Sequence, residues 1–216
     1  MRKPSWTHLL ARLAVRPLLG TRVTPNHLTA LRLVVGLAAA AALAVGEESW
    51  TFWGGVLWLV SAFLDRADGE LARIGNLCSP GGHAFDDFCD TTVNGVFFIA
   101  IGIGLRDGMF GWWAIAMGLA AAVSMWVTDY ISEKYDQQQD AGDKLFPQFA
   151  GFDIDDVLYL FAPIAWLGWL TPLLAGAAIG APAFFVVTVL RIRHGNSARP
   201  PAASPSSTPT HGLAGQ

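Results

Sequence analysis

The chain has 216 residues, of which 53% are hydrophobic and only 14% are charged, and its mean hydropathy is +0.41. Soluble globular domains carry about 25% charged residues, so this composition argues against a soluble fold and favours a polytopic membrane protein. Nine Trp and 23 Gly fit the same class, because aromatic residues concentrate at membrane interfaces and small residues let helices approach closely. The formal net charge of -3 does not indicate a nucleic-acid partner, and we expect none.

The first 22 residues are basic and amphipathic. On a helical projection the leucines share one face and the arginines another: Leu9, Leu10 and Leu13 against Arg12 and Arg16. The arginines interrupt the apolar core that a cleavable signal peptide requires. Residues 1–22 are therefore predicted to form an interfacial amphipathic helix that lies on the membrane, and TPN at 24–26 predicts a turn and the start of the next helix.

Six apolar segments follow, at about 28–46, 49–64, 91–105, 108–128, 155–171 and 172–190. Several are shorter than the ~20 residues that a membrane span needs, so the second and third are expected to extend into the polar sequence between them. We predict an all-α fold in which residues 23–194 form one domain of six transmembrane helices. Residues 195–216 have the composition of a disordered cytoplasmic tail.

The basic residues predict the orientation in the membrane. With a cytoplasmic N-terminus, six spans place both termini and the loops around 65–90 and 133–153 inside. Of the 14 Lys and Arg residues, all except Arg106 then lie on the cytoplasmic side, as the positive-inside rule requires. We expect an integral protein of a bacterial inner membrane with its active site on the cytoplasmic face.

The polar sequence between the second and third spans, DRADGELARIGNLCSPGGHAFDDFCD, contains two pairs of carboxylates. Asp65 and Asp68 are spaced i, i+3 and share one helix face, and Asp86 and Asp90 are spaced i, i+4 and share another. An antiparallel helix pair would bring the two faces together just inside the membrane. Four carboxylates packed there would repel one another and lose hydration, so we expect one or two divalent cations to compensate them.

Oxygen ligands of this kind suit Mg²⁺ or Mn²⁺, and two such ions holding a phosphate are common in enzymes of in-line displacement. Arg66 and Arg73 are expected to offset part of the negative charge. Gly69 removes a side chain beside the carboxylates, so a nucleotide could approach the backbone, and Gly81 and Gly82 open the turn before the second pair. The alternatives to a phosphate site are a solvated acidic loop and a cation or proton pathway.

The complete pattern resembles the signature of the CDP-alcohol phosphotransferase family, also called the CDP-alcohol phosphatidyltransferase family, class I. It reads Asp65-x2-Asp68-Gly69-x2-Ala72-Arg73-x8-Gly82-x3-Asp86-x3-Asp90 and fixes eight positions over 26 residues. The resemblance implies a membrane enzyme of phospholipid biosynthesis. Such an enzyme transfers a phosphatidyl group from CDP-diacylglycerol to the hydroxyl of a small alcohol and releases CMP. The alternative within the family is a donor of the CDP-choline, CDP-ethanolamine or CDP-inositol type.

The same resemblance implies roles for individual residues. Two divalent ions would bind to four carboxylates: Asp65, Asp68, Asp86 and Asp90. Asp90 would also be the general base. The CDP moiety of the donor would contact six residues, two of them from the PNHLT segment: Gly69, Arg73, Ser79, Gly82, Asn26 and Thr29. The family resemblance also suggests a homodimer.

Other charged residues each have two interpretations. Arg32 lies one turn inside the first span, where its charge is costly unless it faces a polar cavity. Basic residues at the cytoplasmic ends of two spans either anchor those ends or bind a phosphorylated acceptor: Lys134, Lys144, Arg191 and Arg193. Carboxylates near the fourth and fifth spans either stabilise a helix end or recognise the acceptor: Asp129, Asp153, Asp155 and Asp156. Glycerol 3-phosphate, inositol phosphate, inositol and serine all remain open as acceptors.

Overall fold

The computed structural model of this protein describes residues 6–136 and 158–197. Within these ranges all regular structure is helical, which confirms the predicted all-α class. A 3₁₀ turn, Arg16–Leu18, lies between the first two α-helices. The α-helices in chain order are α1 (Trp6–Val15), α2 (Pro25–Val45), α3 (Glu48–Ile74), α4 (Pro80–Gly104), α5 (Trp113–Asp136), α6 (Phe161–Trp166) and α7 (Leu170–Ser197).

The helix start predicted at TPN is the start of α2, and local sequence also explains where α4 begins. Pro25 opens α2, where its missing N–H costs nothing, and the backbone N–H of Thr24 donates to Nδ1 of His27 (3.1 Å). Ser79 caps α4, and its Oγ accepts a hydrogen bond from the backbone N–H of Gly82 (3.0 Å). Thr24 precedes the turn of α2 that carries Asn26 and Thr29, and Ser79 lies within the carboxylate sequence, so the two N-cap residues fix helix ends at the site.

The second and third apolar segments extend into the polar sequence, as their shortness required. α3 has 27 residues and ends at Ile74, and α4 has 25 residues and begins at Pro80. The turn between them includes Asn76 in a left-handed conformation (φ 52°), which asparagine adopts more readily than most residues. The two carboxylate pairs therefore lie on helices, and the interpretation as a solvated acidic loop is wrong.

Three of the described helices are long and apolar enough to cross a membrane: Pro25–Val45, Trp113–Tyr135 and Leu170–Arg193. Six spans stay a prediction. The fifth predicted span, 155–171, is not one continuous helix in its described part, because α6 has only six residues and ends at Trp166. Gly168 follows with φ +73°, a conformation that stops a helix and that glycine adopts without a steric penalty.

Helix α2 packs directly on α3 and α4. Gly36 is buried at this contact, and a Cβ added there would lie 2.7 Å from Cγ1 of Val93 and 2.9 Å from Oγ of Ser61. The core continues with the rings of Trp58 and Phe97, whose centroids are 4.0 Å apart. The close approach at Gly36 places the next turn of α2 toward its N-terminus, where Arg32 lies, between α3 and α4.

We predict that Gly36→Ala lowers the melting temperature of the purified protein in detergent. The added methyl group has to displace the stiff β-branched side chain of Val93, and overpacking of this kind costs about 1–3 kcal/mol. The matched control is Gly180→Ala in α7, where a Cβ meets nothing within 4 Å. A Gly36→Ala protein that melts at the same temperature as the Gly180→Ala protein would contradict the close packing of α2.

Candidate active site

Three helix ends meet where the site lies: the start of α2, the end of α3 and the start of α4. Oγ1 of Thr29 in α2 donates a hydrogen bond to Oδ2 of Asp68 in α3 (2.7 Å). A Cβ added to Gly82 in α4 would lie 3.2 Å from Oδ1 of Asn26 in α2. Helix α2 therefore packs on both α3 and α4 at the site, whereas the prediction considered only α3 and α4.

Three of the four predicted metal ligands form a cluster. Asp65, Asp68 and Asp86 each offer one carboxylate oxygen, and these oxygens all lie within 4.8 Å of one another. Two ligands of one divalent ion, each about 2.0–2.6 Å from it, lie no more than ~5 Å apart, so the cluster has the dimensions and the oxygen donors that such an ion needs. Asp68 is buried, with a relative exposure of 3%, and a buried carboxylate requires compensation.

The fourth carboxylate, Asp90, is not part of this cluster but pairs with Arg32. The guanidinium Nη1 of Arg32 contacts Oδ1 of Asp90, lies 2.8 Å from Oδ1 of Asp65 and lies 3.5 Å from Oδ1 of Asp86. Arg32 is 3% exposed, and its backbone carbonyl accepts a hydrogen bond from Oγ of Ser61 (3.2 Å). Of the two interpretations of Arg32, the structure supports the one in which it faces a polar cluster.

The sequence predicted that Arg66 and Arg73 offset part of the negative charge, and this prediction did not include Arg32. Nη2 of Arg73 donates to Oε1 of Glu70 (2.9 Å), and Nη1 of Arg66 lies 3.2 Å from Nε2 of His8. Arg32 supplies the cation that contacts three of the four carboxylates. Helical spacing within the motif could not show this, because Arg32 comes from a different helix.

A cavity of about 330 Å³ lies beside the carboxylate cluster. This volume falls in the range of small-molecule sites, about 300–1,000 Å³. Asp68 and Asp86 line it. All six residues predicted to contact the CDP moiety line it as well: Asn26, Thr29, Gly69, Arg73, Ser79 and Gly82. Residues of three helix ends that the resemblance predicted to bind one ligand therefore line one cavity.

A family model described as CDP-alcohol phosphatidyltransferase matches residues 22–189. The chain belongs to this family. The match includes α2, α3 and α4 and every residue of the signature, and it confirms the resemblance on which the site prediction was based.

Two curated relatives are named "Bifunctional IPC transferase and DIPP synthase". The protein of Thermococcus kodakarensis is 29% identical over 130 residues, which are 59% of this chain and 28% of that protein. The protein of Aquifex aeolicus is 25% identical over 166 residues, which are 76% of this chain and 38% of that protein. The chain therefore spans less than half the length of either relative.

Two solved structures of the phosphatidylinositol phosphate synthase PgsA1 of Mycobacterium tuberculosis share the fold. The structure with CDP-DAG bound has a TM-score of 0.62 at 20% identity and covers 94% of this chain and 99% of that chain. The structure in complex with manganese and citrate has a TM-score of 0.62 at 20% identity and covers 92% of each chain. At this level of identity the likeness establishes the fold of this family member.

The two signature glycines leave space for different groups. A Cβ added to Gly69 would lie 3.4 Å from Nη2 of Arg73, so the guanidinium lies over Gly69 at the cavity wall. A Cβ added to Gly82 would lie 2.9 Å from Oγ of Ser79, which is the atom that caps α4. Gly69 thus keeps the cavity open beside Arg73, and Gly82 permits the capping geometry.

Glu70 lies between the signature residues and was not among the predicted site residues. Its side chain is 3% exposed, and its Oε2 accepts a hydrogen bond from Nε of Arg12 (3.0 Å). Its Oε1 lies 2.9 Å from Nδ1 of His8 and accepts a bond from Nη2 of Arg73. Burial would raise the pKa of Glu70, but the hydrogen bonds from Arg12 and His8 and the charge of Arg73 hold this pKa below its ordinary value. The i, i+3 spacing of Glu70 and Arg73 was the only signal of this pair in the sequence.

The residues considered for acceptor recognition lie apart from this cavity or outside the described residues. Nζ of Lys134 lies 5.5 Å from the ring centroid of Tyr130, and Asp129 lines a separate groove between α4 and α5. Arg191 and Arg193 are exposed on α7. Four further candidates fall outside the described residues: Lys144, Asp153, Asp155 and Asp156. Acceptor recognition by any of them stays a prediction.

We predict that Arg32→Met lowers the melting temperature of the metal-free protein and increases the stabilisation that added Mn²⁺ gives. Removing one partner of a buried ion pair costs about 3–5 kcal/mol, and a divalent cation can replace the lost positive charge. The control is Arg106→Met, which removes bonds to the carbonyl oxygens of Ala44 and Ile103 and an ion pair with Asp107 but no contact with the carboxylates of the site. An equal Mn²⁺-dependent rise in Arg32→Met and the wild type would refute this role of Arg32.

Proposed function

We propose that this protein is a membrane transferase that moves a phosphatidyl group from CDP-diacylglycerol to the hydroxyl of a small alcohol and releases CMP. The reaction would be a step of phospholipid biosynthesis. The observation that carries the proposal is the single cavity that joins a carboxylate cluster to all six predicted CDP contacts. The M. tuberculosis structure with CDP-DAG bound, which has the same fold, supports this class of donor.

A donor of the CDP-inositol type is the second candidate. The two curated relatives are named for IPC transferase and DIPP synthase activities, and neither name refers to a phosphatidyl group. Both candidates share the cytidine diphosphate part of the donor, so the same cavity serves either one. They differ in whether the transferred phosphate carries acyl chains that remain in the bilayer.

The carboxylates would bind two divalent ions, Mg²⁺ or Mn²⁺. Asp65, Asp68 and Asp86 already lie within the distances of one ion, and Asp90 would complete the ligands of the second. The structural neighbour in complex with manganese supports a divalent metal. When bound, such ions neutralise the diphosphate and stabilise the charge that develops on the departing CMP.

The chain's own residues would bind and orient the donor. Arg73 would pair with the diphosphate in a charge-assisted contact, because its guanidinium lies at the cavity wall over Gly69. Thr29 would hold Asp68 in place through the hydrogen bond between them. Asn26 and Ser79 would offer polar groups to the cytidine and its phosphates.

Asp90 would act as the general base. Its side chain is 41% exposed and contacts Arg32, and a neighbouring cation favours the ionised carboxylate that a base must be. Asp90 would take the proton of the acceptor hydroxyl, and the acceptor oxygen would attack the phosphorus that carries the diacylglycerol. The bond between this phosphorus and the bridging oxygen would break, and CMP would leave with that oxygen.

The exposed face of α1 supports a proposal for the membrane arrangement. In α1, Ala11 and Val15 are buried, whereas Leu9, Leu10 and Leu13 are between 50% and 55% exposed. We propose that these leucines lie in the interfacial layer of the cytoplasmic leaflet and that both termini are cytoplasmic. The cavity would then open where a lipid donor can present its headgroup while its acyl chains stay in the bilayer.

The direct test is CMP release by the purified protein in detergent with Mg²⁺ or Mn²⁺, CDP-diacylglycerol and a panel of alcohol acceptors. We expect release with one acceptor and at least a hundredfold less in Asp90→Asn, since general-base catalysis contributes about 10²–10⁴-fold. Cation flux in proteoliposomes without CMP release from any CDP-linked donor would instead support the transporter interpretation and refute the proposal.

We further predict that Gly69→Ala raises the KM for the CDP-linked donor about tenfold, equivalent to ~1.4 kcal/mol, without lowering the melting temperature. The added Cβ lies in ordinary contact with Arg73 in the free protein but occupies space that the diphosphate needs. Gly81→Ala is the matched control, because a Cβ there meets nothing within 4 Å. If the two variants had the same donor KM, the contact between Gly69 and the donor would be excluded.

A further inference from the structure

Glu70 is a buried carboxylate whose two oxygens are shared between two helices. Oε2 accepts a hydrogen bond from Arg12 of α1 at 3.0 Å, and Oε1 accepts one from Arg73 of α3 at 2.9 Å. His8 of α1 adds Nδ1 at 2.9 Å from Oε1. A buried charge persists only with partners of this kind, so the three side chains explain how a carboxylate can be 3% exposed at this position.

Arg73 is held at one end of its guanidinium by this carboxylate. Its side chain is 53% exposed, and a free arginine side chain of this kind samples many rotamers. Bonding of Nη2 to Glu70 restricts this freedom, and it keeps the guanidinium over Gly69, with Nη2, Cζ and Nη1 between 3.4 and 3.9 Å from an added Cβ. Arg73 thus meets the donor cavity in one orientation before any ligand binds.

The other half of the network belongs to α1. Val15 of α1 packs with Ala67 and Leu71 of α3 in a buried cluster, so the two helices are fixed to each other near the ion pairs. Arg12 holds Oε2 of Glu70, and His8 contacts Oε1, the same oxygen that accepts the hydrogen bond from Arg73. Any shift of α1 would move the carboxylate on which the orientation of Arg73 depends.

We propose that Glu70 is a positioning residue that presets Arg73 for the diphosphate of the donor and links this arginine to helix α1. The inference rests on the proposed function, in that Arg73 binds the diphosphate. Glu70 itself does not line the cavity, so it acts through Arg73. The link gives the surface helix α1 an effect on donor binding through two side chains, Arg12 and His8.

The test uses the Glu70→Gln variant purified in detergent. Calorimetry measures the binding of CDP in the presence of Mg²⁺, and kinetic assays give the KM and kcat for the CDP-linked donor. Glutamine keeps the shape but loses the charge, and charge-assisted bonds are about twice as strong as neutral ones. We expect CDP binding about tenfold weaker and a donor KM raised by a similar factor, with kcat and the acceptor KM nearly unchanged. Glu70→Asp, which keeps the charge, should recover part of the affinity. Glu48→Gln, an exposed acid at the start of the same helix, is the matched control and should bind CDP as the wild type does.

A double-mutant cycle with Arg73→Ala separates positioning from a general effect on the fold. If Glu70 acts through Arg73, Glu70→Gln causes no further loss of CDP binding once Arg73 is alanine. Should Glu70→Gln fail to fold, Arg12→Gln replaces it, because this variant keeps the carboxylate and its bond to Arg73 and loosens only the α1 side. It should weaken CDP binding in the same direction by a smaller factor, again only when Arg73 is present.

The outcomes distinguish this inference from the proposed function. In one outcome the wild-type protein binds CDP and releases CMP, but the effects of the Glu70 and Arg73 variants are independent and additive. This outcome would overturn the positioning role and leave the transferase proposal standing. Wild-type protein that neither binds CDP nor releases CMP from any CDP-linked donor would overturn both. Non-additive losses confined to CDP and donor affinity are the result that we expect.

Discussion

The buried contact between Arg32 and the carboxylates is the constraint on which the rest of the site depends. Carboxylates from α3 and α4 can approach one another in apolar surroundings only if positive charge enters between them. Arg32 enters from α2, and the close approach of α2 at Gly36 brings it there. Four carboxylates and the guanidinium of Arg32 leave an excess of negative charge, which favours the binding of further cations.

The helix ends place this charge cluster beside the cavity that we propose binds a nucleotide. The caps at Thr24 and Ser79 start α2 and α4 beside the end of α3, and the cavity lies among these three ends. The carboxylates form one part of the cavity wall and Arg73 forms another. A diphosphate in the cavity would therefore meet both the proposed cations and a guanidinium. Glu70 bonds to Arg73 and to side chains of α1, and the exposed leucines of α1 suit a membrane surface.

The features that could be predicted from the sequence depend on local rules. The helical spacing of Asp65 and Asp68, the start of α2 at TPN, and the extension of two short spans all follow from residues close together in the chain. The placement of Arg32 and the network of Glu70 could not be predicted in this way. Arg32 and Asp86 are 54 positions apart, and His8 and Glu70 are 62 apart, so only the packing of whole helices brings them together. The break in the fifth apolar segment was not predicted for a related reason, since hydropathy does not show where Gly168 stops the helix.

The most direct test is the equilibrium binding of Mn²⁺ to the purified protein in the presence of CDP. The electron paramagnetic resonance signal of the free ion measures how much Mn²⁺ remains unbound. The account predicts that the wild type takes up two ions per chain and that a variant with Asp68→Asn and Asp86→Asn takes up fewer. If the wild type bound no more Mn²⁺ than this variant, the assignment of the carboxylate cluster as the metal centre would be contradicted.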